Sequence, residues 1–217
     1  MKEWRDKIDS IDADIVRLIS ERATYASEIA KAKAKNGIPL FQPDREQEVY
    51  TKIARLNSGA LDDTAFKNIY REIMSATLKL EGSLNVGYFG VEGSFTHQAA
   101  LDKFGRSLPL HSYRTIDDVF QAVEAREIKY GIVPIENSTE GMVKATLDAL
   151  SKYDLHIYSD VLLQIKQSLL STAKDVSQIE KVFTHPQAYA QTQNYLMKHL
   201  RRAEWIETYS TSEAAER

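Results

Sequence analysis

Residues 4–49 read WRDKIDSIDADIVRLISERATYASEIAKAKAKNGIPLFQPDREQEV, and this stretch decides the architecture of the first part of the 217-residue chain. Its apolar side chains recur every three or four residues with no Pro or Gly before Gly37, which predicts one amphipathic helix from Trp4 to about Asn36. The apolar positions are Ile8, Ile11, Ile15, Leu18, Ile19, Ala26, Ile29 and Ala30. Similar signals predict a second helix from Gln42 to Leu56 and a third between Asp62 and Gly82. Residues 1–82 are therefore predicted to form an all-α, three-helix domain.

The first helix is too long for a domain of this size. At about 1.5 Å per residue it measures roughly 45 to 50 Å, whereas a domain of about 80 residues is some 25 to 30 Å across. Two shorter helices cannot cover the whole apolar stripe. A second copy of the chain laid along it would do so, and we expect an intertwined homodimer.

After Ser83 the pattern changes to short strands alternating with helices, which is typical of an α/β domain with a mostly parallel sheet. The predicted strands are 86–89, 130–134, 156–170, 181–183 and 205–207, and the predicted helices are 95–104, 116–125 and 187–200. We therefore predict a multidomain chain, with a second domain over residues 84–217.

Composition excludes several classes of function. The chain has 28 basic and 31 acidic side chains, a net charge of -3, which leaves no footprint for nucleic acid or an anionic membrane. It has no cysteine, and its five histidines lack metal-ligand spacing, so we predict no metal. The amino terminus has no secretory apolar core, and no apolar run approaches the roughly 18 residues of a membrane span. We expect a cytoplasmic protein that binds neither nucleic acid nor membranes.

Cations on the first two helices form a candidate anion site. Arg22 and Lys33 are eleven residues apart, about three turns, so both project from one side of the first helix. Arg45 and Glu46 lie at the start of the second helix, where the helix dipole favours anions. A small dianion could fit between these cations. Arg5, about 25 Å along the axis from Arg22, could reach it only from the other subunit. Taken alone, a side chain of this kind on a helix is far more often a solvated surface residue.

In this register, residues 4–49 resemble the all-helical class of chorismate mutases, and the resemblance extends over essentially all of residues 1–82. It implies that Arg22, Arg45 and Arg5 of the partner subunit hold and position the substrate. Lys33 would reach the ether oxygen whose bond breaks, and Glu46 would bind the ring hydroxyl. Such a unimolecular rearrangement needs no nucleophile, base, metal or cofactor, only a clamp for the reactive conformer and cations near the developing negative charge.

The resemblance also assigns two residues of the third helix. Thr77 and Glu81 lie four residues apart on one face, and Glu81 would stand opposite Lys33. A carboxyl group can donate a hydrogen bond to the ether oxygen only when it is protonated. Lys33, Glu81 and Arg22 are thus the predicted catalytic residues. The alternative is that Glu81 is a solvated residue beside Gly82.

Three loops of the second domain place hydroxyl and amide side chains at helix starts after strands, a common arrangement for binding carboxylate or phosphate. These side chains are Ser94, Thr96, Asn137, Ser138, Thr139, Thr184 and Gln187. Each loop alone is more often simple N-capping. Together, however, GYFGVEGSFTHQAA, YGIVPIENSTEG, THPQAYAQ and STSEAA closely resemble prephenate dehydratase, in the same order over residues 84–217. The resemblance implies a two-lobed domain, like that of periplasmic binding proteins, with these residues and Gln191 at the cleft.

The whole chain thus resembles the front of the bifunctional enzymes of phenylalanine synthesis, with chorismate and prephenate as ligands and phenylpyruvate as the final product. Val91 replaces a usual proline, Gln167 stands where a histidine is common, and no Thr-Arg-Phe segment, which carries the family's catalytic threonine, occurs.

The sequence ends in a capping box at Ser210 and Glu213, so we expect an amino-terminal fragment with a truncated dehydratase domain and no regulatory phenylalanine-binding domain. A frayed tail is the alternative for these last residues. A different function also stays open, namely a non-catalytic small-anion sensor with a helical dimerisation arm.

Overall fold

The computed structural model describes residues 1–80, 82, 84–138 and 141–217. Three helices come first: α1 (Lys2–Lys35), α2 (Pro43–Leu56) and α3 (Asp63–Leu80). Proline occupies the first turn of α2, and the Asp62 carboxylate caps α3 by accepting the Ala65 N–H at 2.7 Å. The prediction of an all-α segment is confirmed, and the helix boundaries agree to within about two residues.

The link between α1 and α2 reverses the chain at a glycine. Gly37 has φ +66°, in the left-handed region that favours glycine, and the Ile38 N–H donates to the Lys33 carbonyl at 3.0 Å. This turn brings the start of α2 beside the end of α1.

Strands and helices alternate through the rest of the chain, which confirms the α/β prediction. The elements are β1 (Val86–Phe89), α4 (Phe95–Phe104), β2 (Leu110–Tyr113), α5 (Ile116–Glu124), β3 (Tyr130–Ile132), β4 (Glu136–Asn137), β5 (Gly141–Met142), α6 (Lys144–Lys152), β6 (Lys181–Thr184), α7 (Pro186–His199), β7 (Glu204–Glu207) and α8 (Thr211–Glu216). Thr115 and Asp118 form a reciprocal capping box at the start of α5.

The described strands form three small sheets. One has the order β2-β1-β3, and β1 runs parallel to β2, since Val86 N–H donates to Pro109 O and Gly90 N–H to Tyr113 O. Strands β6 and β7 also pair in parallel, whereas β4 and β5 form a short antiparallel hairpin. Parallel pairing therefore predominates, as predicted.

The predicted long strand at 156–170 is wrong. Residues 156–170 form no strand, and Ile157 and Leu162 are 73% and 98% exposed. An extended segment becomes a strand only where a neighbour supplies hydrogen bonds. No described strand pairs with this segment, so its apolar alternation does not produce one.

By internal contacts the chain divides into two compact units. The first holds residues 1–86, 100–111 and 128–130, and the second holds 87–99, 112–127 and 131–217. In the first unit the Phe41 ring packs on Phe104 and Tyr130, with centroids 4.8 and 5.6 Å apart. Residues beyond the predicted boundary at 83 thus complete the core beneath the helices. The second unit has its own core around Ile116, Phe120 and Ala149.

The amino-terminal part of α1 is covered by no described residue. Residues 1–20 are all exposed, and the stripe of apolar side chains along this helix stays open to solvent. Its members include Trp4 (66% exposed), Ile8 (56%), Ile11 (57%), Ile15 (46%) and Leu18 (53%). No helix among the described residues has both the length and the apolar character to cross a membrane.

Candidate active sites

The predicted mutase residues come from three helices. Arg5, Arg22 and Lys33 lie on α1, Arg45 and Glu46 in the first turn of α2, and Thr77 near the end of α3. Glu81 lies outside the described residues.

Lys33 is half-buried at the reversal between α1 and α2. Its ammonium donates a hydrogen bond to the Leu40 carbonyl at 3.0 Å. The link therefore fixes a cation at the junction of two helices, where a charge is less screened than on an open surface.

The three arginines differ in environment. Arg22 is half-buried on α1, whereas Arg45 is exposed and forms an ion pair with Glu48, one turn along α2, at 2.7 Å. Arg5 is exposed in the uncovered part of α1. Exposed pairs such as Arg45–Glu48 contribute little to stability, so Arg45 is available to exchange its partner for a bound anion.

Glu46 is a predicted site carboxylate whose environment perturbs its pKa. It is half-buried and accepts a hydrogen bond from the Tyr50 hydroxyl at 2.8 Å. Burial raises the pKa of Glu46, and the Tyr50 hydrogen bond and the charges of Lys103, Lys67 and Arg71 oppose that rise. Burial and the nearby Glu46 charge raise the pKa of Tyr50 as well, so its hydroxyl stays a donor.

Thr77 is buried on α3, and its hydroxyl donates to the Ile73 carbonyl at 2.7 Å. With its proton committed to the helix backbone, the hydroxyl oxygen keeps lone pairs for a donor.

A cavity of about 330 Å³ lies in the first compact unit beside the α1–α2 link. Its lining residues are Gly37, Ile38, Pro39, Leu40, Gly82, Leu84, Lys129 and Tyr130. None of these eight is a predicted site residue, although Leu40 is the hydrogen-bond partner of Lys33.

Among the predicted dehydratase residues, Ser94 and Thr96 lie at the start of α4. Ser94 caps that helix by accepting the His97 N–H at 3.2 Å, and Thr96 is half-buried in its first turn. A Cβ atom on Gly93 would meet the Ser212 hydroxyl at 3.0 Å. The starts of α4 and α8 are therefore neighbours, so the GSFTHQ and STSEAA motifs meet in space.

Two further predicted residues lie around β6 and α7. Thr184 ends β6, and its carbonyl accepts the Thr208 N–H at 3.1 Å, which extends the pairing with β7 towards α8. His185 caps α7 by accepting the Gln187 N–H at 3.2 Å. The N-capping interpretation of this loop therefore holds for His185.

Gln191 contacts Gln167, which stands where a histidine is common in the family that residues 84–217 resemble. The Gln167 side-chain amide donates to Gln191 Oε1 at 3.0 Å. The extended segment therefore touches α7 at a predicted pocket position.

The remaining predicted loop is only partly described. Asn137 pairs with Gly141 across the β4–β5 hairpin, and Ser138 is exposed after β4. Thr139 lies outside the described residues. No group of His, Asp or Glu side chains within the described ranges has the arrangement to hold a metal ion.

Sequence reasoning missed Tyr50 and Lys103 as neighbours of Glu46. Tyr50 follows Glu46 by four residues, a helical spacing that could have identified it. Lys103 is 57 residues away in sequence, and no local pattern indicates its electrostatic effect on Glu46.

Comparison with known proteins matches two families, in the same order along the chain as the two resemblances found in the sequence. Residues 4–82 match the family described as chorismate mutase type II, and residues 86–217 match prephenate dehydratase.

A bifunctional chorismate mutase/prephenate dehydratase of Aquifex aeolicus is 42% identical over 220 residues, which is 100% of this chain and 61% of the relative. The protein of that name from Neisseria gonorrhoeae is 41% identical, over 97% of this chain and 58% of its own length. A solved chorismate mutase (form II) from Thermus thermophilus is 31% identical, covers 37% of this chain and 91% of its own, and superposes with a TM-score of 0.36. The chain thus spans about three fifths of the two bifunctional relatives.

Proposed function

This chain belongs to the prephenate dehydratase family and carries a type II chorismate mutase domain ahead of that region, and from this membership we propose that its helical segment, residues 1–82, converts chorismate to prephenate. One observation carries the proposal. Lys33, Glu46 and Thr77 come from three different helices, and each is wholly or partly withdrawn from solvent at a position matching the mutase pattern.

The reaction is an isomerisation in which an ether C–O bond breaks and a C–C bond forms. Negative charge grows on the ether oxygen as its bond lengthens, so a fixed cation stabilises the transition state more than the ground state. Lys33 is that cation. Arg22 and Arg45 hold the two carboxylates, Glu46 accepts the ring hydroxyl, and Thr77 and Glu81 complete the polar lining.

The site is completed by a second copy of the chain. The apolar stripe of α1 is exposed over its first 20 residues, a larger apolar surface than a stable monomer leaves open. Arg5 lies in that part, about 25 Å from Arg22, so it serves the site of the partner subunit. We therefore propose a cytoplasmic homodimer with mutase sites built from both chains.

For the whole protein we propose that the α/β segment dehydrates and decarboxylates prephenate to phenylpyruvate, on the route to phenylalanine. The approach of Gly93, just before α4, to the Ser212 hydroxyl in the first turn of α8 supports a shared anion site, because it brings the starts of two helices and their hydroxyl side chains together. Thr184, Gln187 and Gln191 contribute from α7 and its preceding strand, and Asn137, Ser138 and Thr139 from the ENSTEG segment of the sequence.

Mixing the chain with chorismate and following the loss of its ultraviolet absorbance tests the mutase assignment. Catalysed loss with formation of prephenate is expected. Saturable binding of chorismate without turnover would instead favour the small-anion sensor.

We predict little or no dehydratase activity from a polypeptide of these 217 residues, because their sequence contains no Thr-Arg-Phe segment to supply the family's catalytic threonine. The measurement is phenylpyruvate formation from added prephenate, with mutase turnover of the same sample as the control for folding. Robust phenylpyruvate production would contradict the prediction and place the catalytic group elsewhere.

We also predict that mutase turnover falls as pH rises past the point at which Glu81 loses its proton. Only the protonated carboxyl donates to the ether oxygen, whereas a glutamine amide donates at any pH. Glu81→Gln should therefore flatten the fall and keep activity at high pH. Superimposable pH profiles for the wild type and Glu81→Gln would remove Glu81 from the site.

A further inference from the structure

The end of α4 is fastened to α3 by direct contacts within the first compact unit. Glu72 accepts the Arg106 N–H at 3.0 Å, and the buried Ser75 hydroxyl accepts the Ser107 N–H at 3.1 Å. Gly105 has φ +71°, and a Cβ atom there would lie 2.5 Å from Ser75 Cβ. The approach is too close for any side chain at Gly105, so the turn after α4 packs against α3 in one fixed position.

Because this turn is fixed on α3, the position of Lys103 in the last turn of α4 is fixed as well. Phe104 packs on Phe41, with ring centroids 4.8 Å apart, and Phe41 is the buried residue just before α2. The Lys103 ammonium lies 5.6 Å from the centroid of the same Phe41 ring. A cation from α4, in the part of the chain with alternating strands and helices, therefore lies close to the start of α2, near the first turn that carries Glu46.

Charged and polar groups from three helices act on the Glu46 carboxyl. Tyr50 belongs to α2, Lys67 and Arg71 to α3, and Lys103 to α4. Lys103 exerts the largest of the three cationic effects that lower the Glu46 pKa, against the burial that raises it. Arg71 also approaches Asp102 at 3.6 Å, so its charge is shared with a carboxylate of α4.

We propose that Lys103 is a positioning residue of the mutase reaction, which acts through Glu46 and so makes the site depend on a residue outside the helical segment. The inference rests on the proposed mutase function. Lys103 favours the ionised carboxylate and holds it at the first turn of α2. Glu46 then accepts the ring hydroxyl of the substrate in the ground state and in the transition state alike. Loss of Lys103 should therefore affect KM more than kcat.

The test uses chains of all 217 residues carrying Lys103→Gln, Lys103→Arg and Lys52→Gln, with kcat and KM for chorismate measured across pH. Lys52 is exposed on α2, so its variant removes the same formal charge away from Glu46. Lys103→Gln should raise KM about two- to five-fold and move the acid limb of kcat/KM to higher pH by a few tenths of a unit. The sign follows from the charge, since removing a cation makes Glu46 harder to ionise. Lys103→Arg should restore the wild-type profile.

A double-mutant cycle separates positioning from folding. In a Glu46→Gln background, Lys103→Gln should have no further effect on KM or on the acid limb. If Lys103→Gln loses helical circular dichroism, Lys103→Met keeps the aliphatic stem over Phe41 and takes its place. Equal profiles for Lys103→Gln and Lys52→Gln, with an active wild type, would overturn the positioning role alone. A wild-type chain that does not turn over chorismate would overturn the proposed function as well.

Discussion

Replacing Lys33 by alanine is expected to lower mutase turnover by about 100- to 1,000-fold, the usual cost of removing one preorganised group that stabilises charge developing on oxygen. Because we propose that the arginines bind the substrate's carboxylates, KM should change less than kcat. The measurement is the steady-state rate of chorismate loss with kcat and KM separated.

Lys35→Ala is the matched control, since Lys35 is exposed in the same last turn of α1. Lys33 also donates to the Leu40 carbonyl, so thermal melts of both variants must accompany the kinetics. A fall in turnover explained by unfolding, or an equal fall in Lys35→Ala, would contradict the catalytic role of Lys33.

The same variant tests the shared site. Arg5→Ala and Lys33→Ala chains should each be nearly inactive, whereas a mixture that exchanges subunits should regain about a quarter of wild-type turnover. Half of the dimers are then mixed, and each mixed dimer holds one site with both residues intact. No recovery after proven exchange would mean that Arg5 does not act across subunits.

Local signals in the sequence predicted most of the helices. The α4 range was predicted residue for residue, because Gly105 stops the helix by adopting a left-handed backbone. The start of α5 at Ile116 was also predicted, and the reason is equally local, since the Thr115 side chain caps the helix. The predicted strand at 156–170 does not form, because alternating apolar residues do not by themselves supply the adjacent strand with which its backbone must form hydrogen bonds. The two-residue strands β4 and β5 are too short to leave a periodic signal.

Some residues of the candidate site could likewise be identified from local sequence, whereas others are brought there only by tertiary packing. Spacing on one helix placed Arg22 and Lys33 on one side of α1, and family likeness added Glu46 and Thr77. The position of Lys103 over the Phe41 ring, just before α2, was not predictable, because it depends on how the turn at Gly105 packs against α3. A boundary inferred from the change of pattern at residue 83 marks where the secondary structure changes, whereas packing in the first unit extends to Tyr130.

Ile11→Asp is expected to convert the proposed dimer to a monomer and to abolish mutase activity. Ile11 is 57% exposed in a single chain, so the substitution costs the isolated unit little. In a dimer formed along α1 the carboxylate would be buried without a partner, and the two-fold axis makes that happen twice. A penalty of about 4 kcal/mol would weaken association about 1,000-fold. Activity should fall with it, because a monomer lacks the Arg5 of its partner.

Ala13→Asp gives the matched comparison, since residue 13 is exposed and lies about 200° around α1 from residue 11. It introduces the same charge with a larger loss of helix propensity, but on the polar face, so this variant should stay dimeric and active. Light scattering across a range of protein concentrations measures the mass, and chorismate loss measures the activity of the same samples. An Ile11→Asp chain that remained a fully active dimer would show that the apolar stripe of α1 is not the interface. A monomer with undiminished turnover would show instead that one chain holds a complete site and that Arg5 is dispensable.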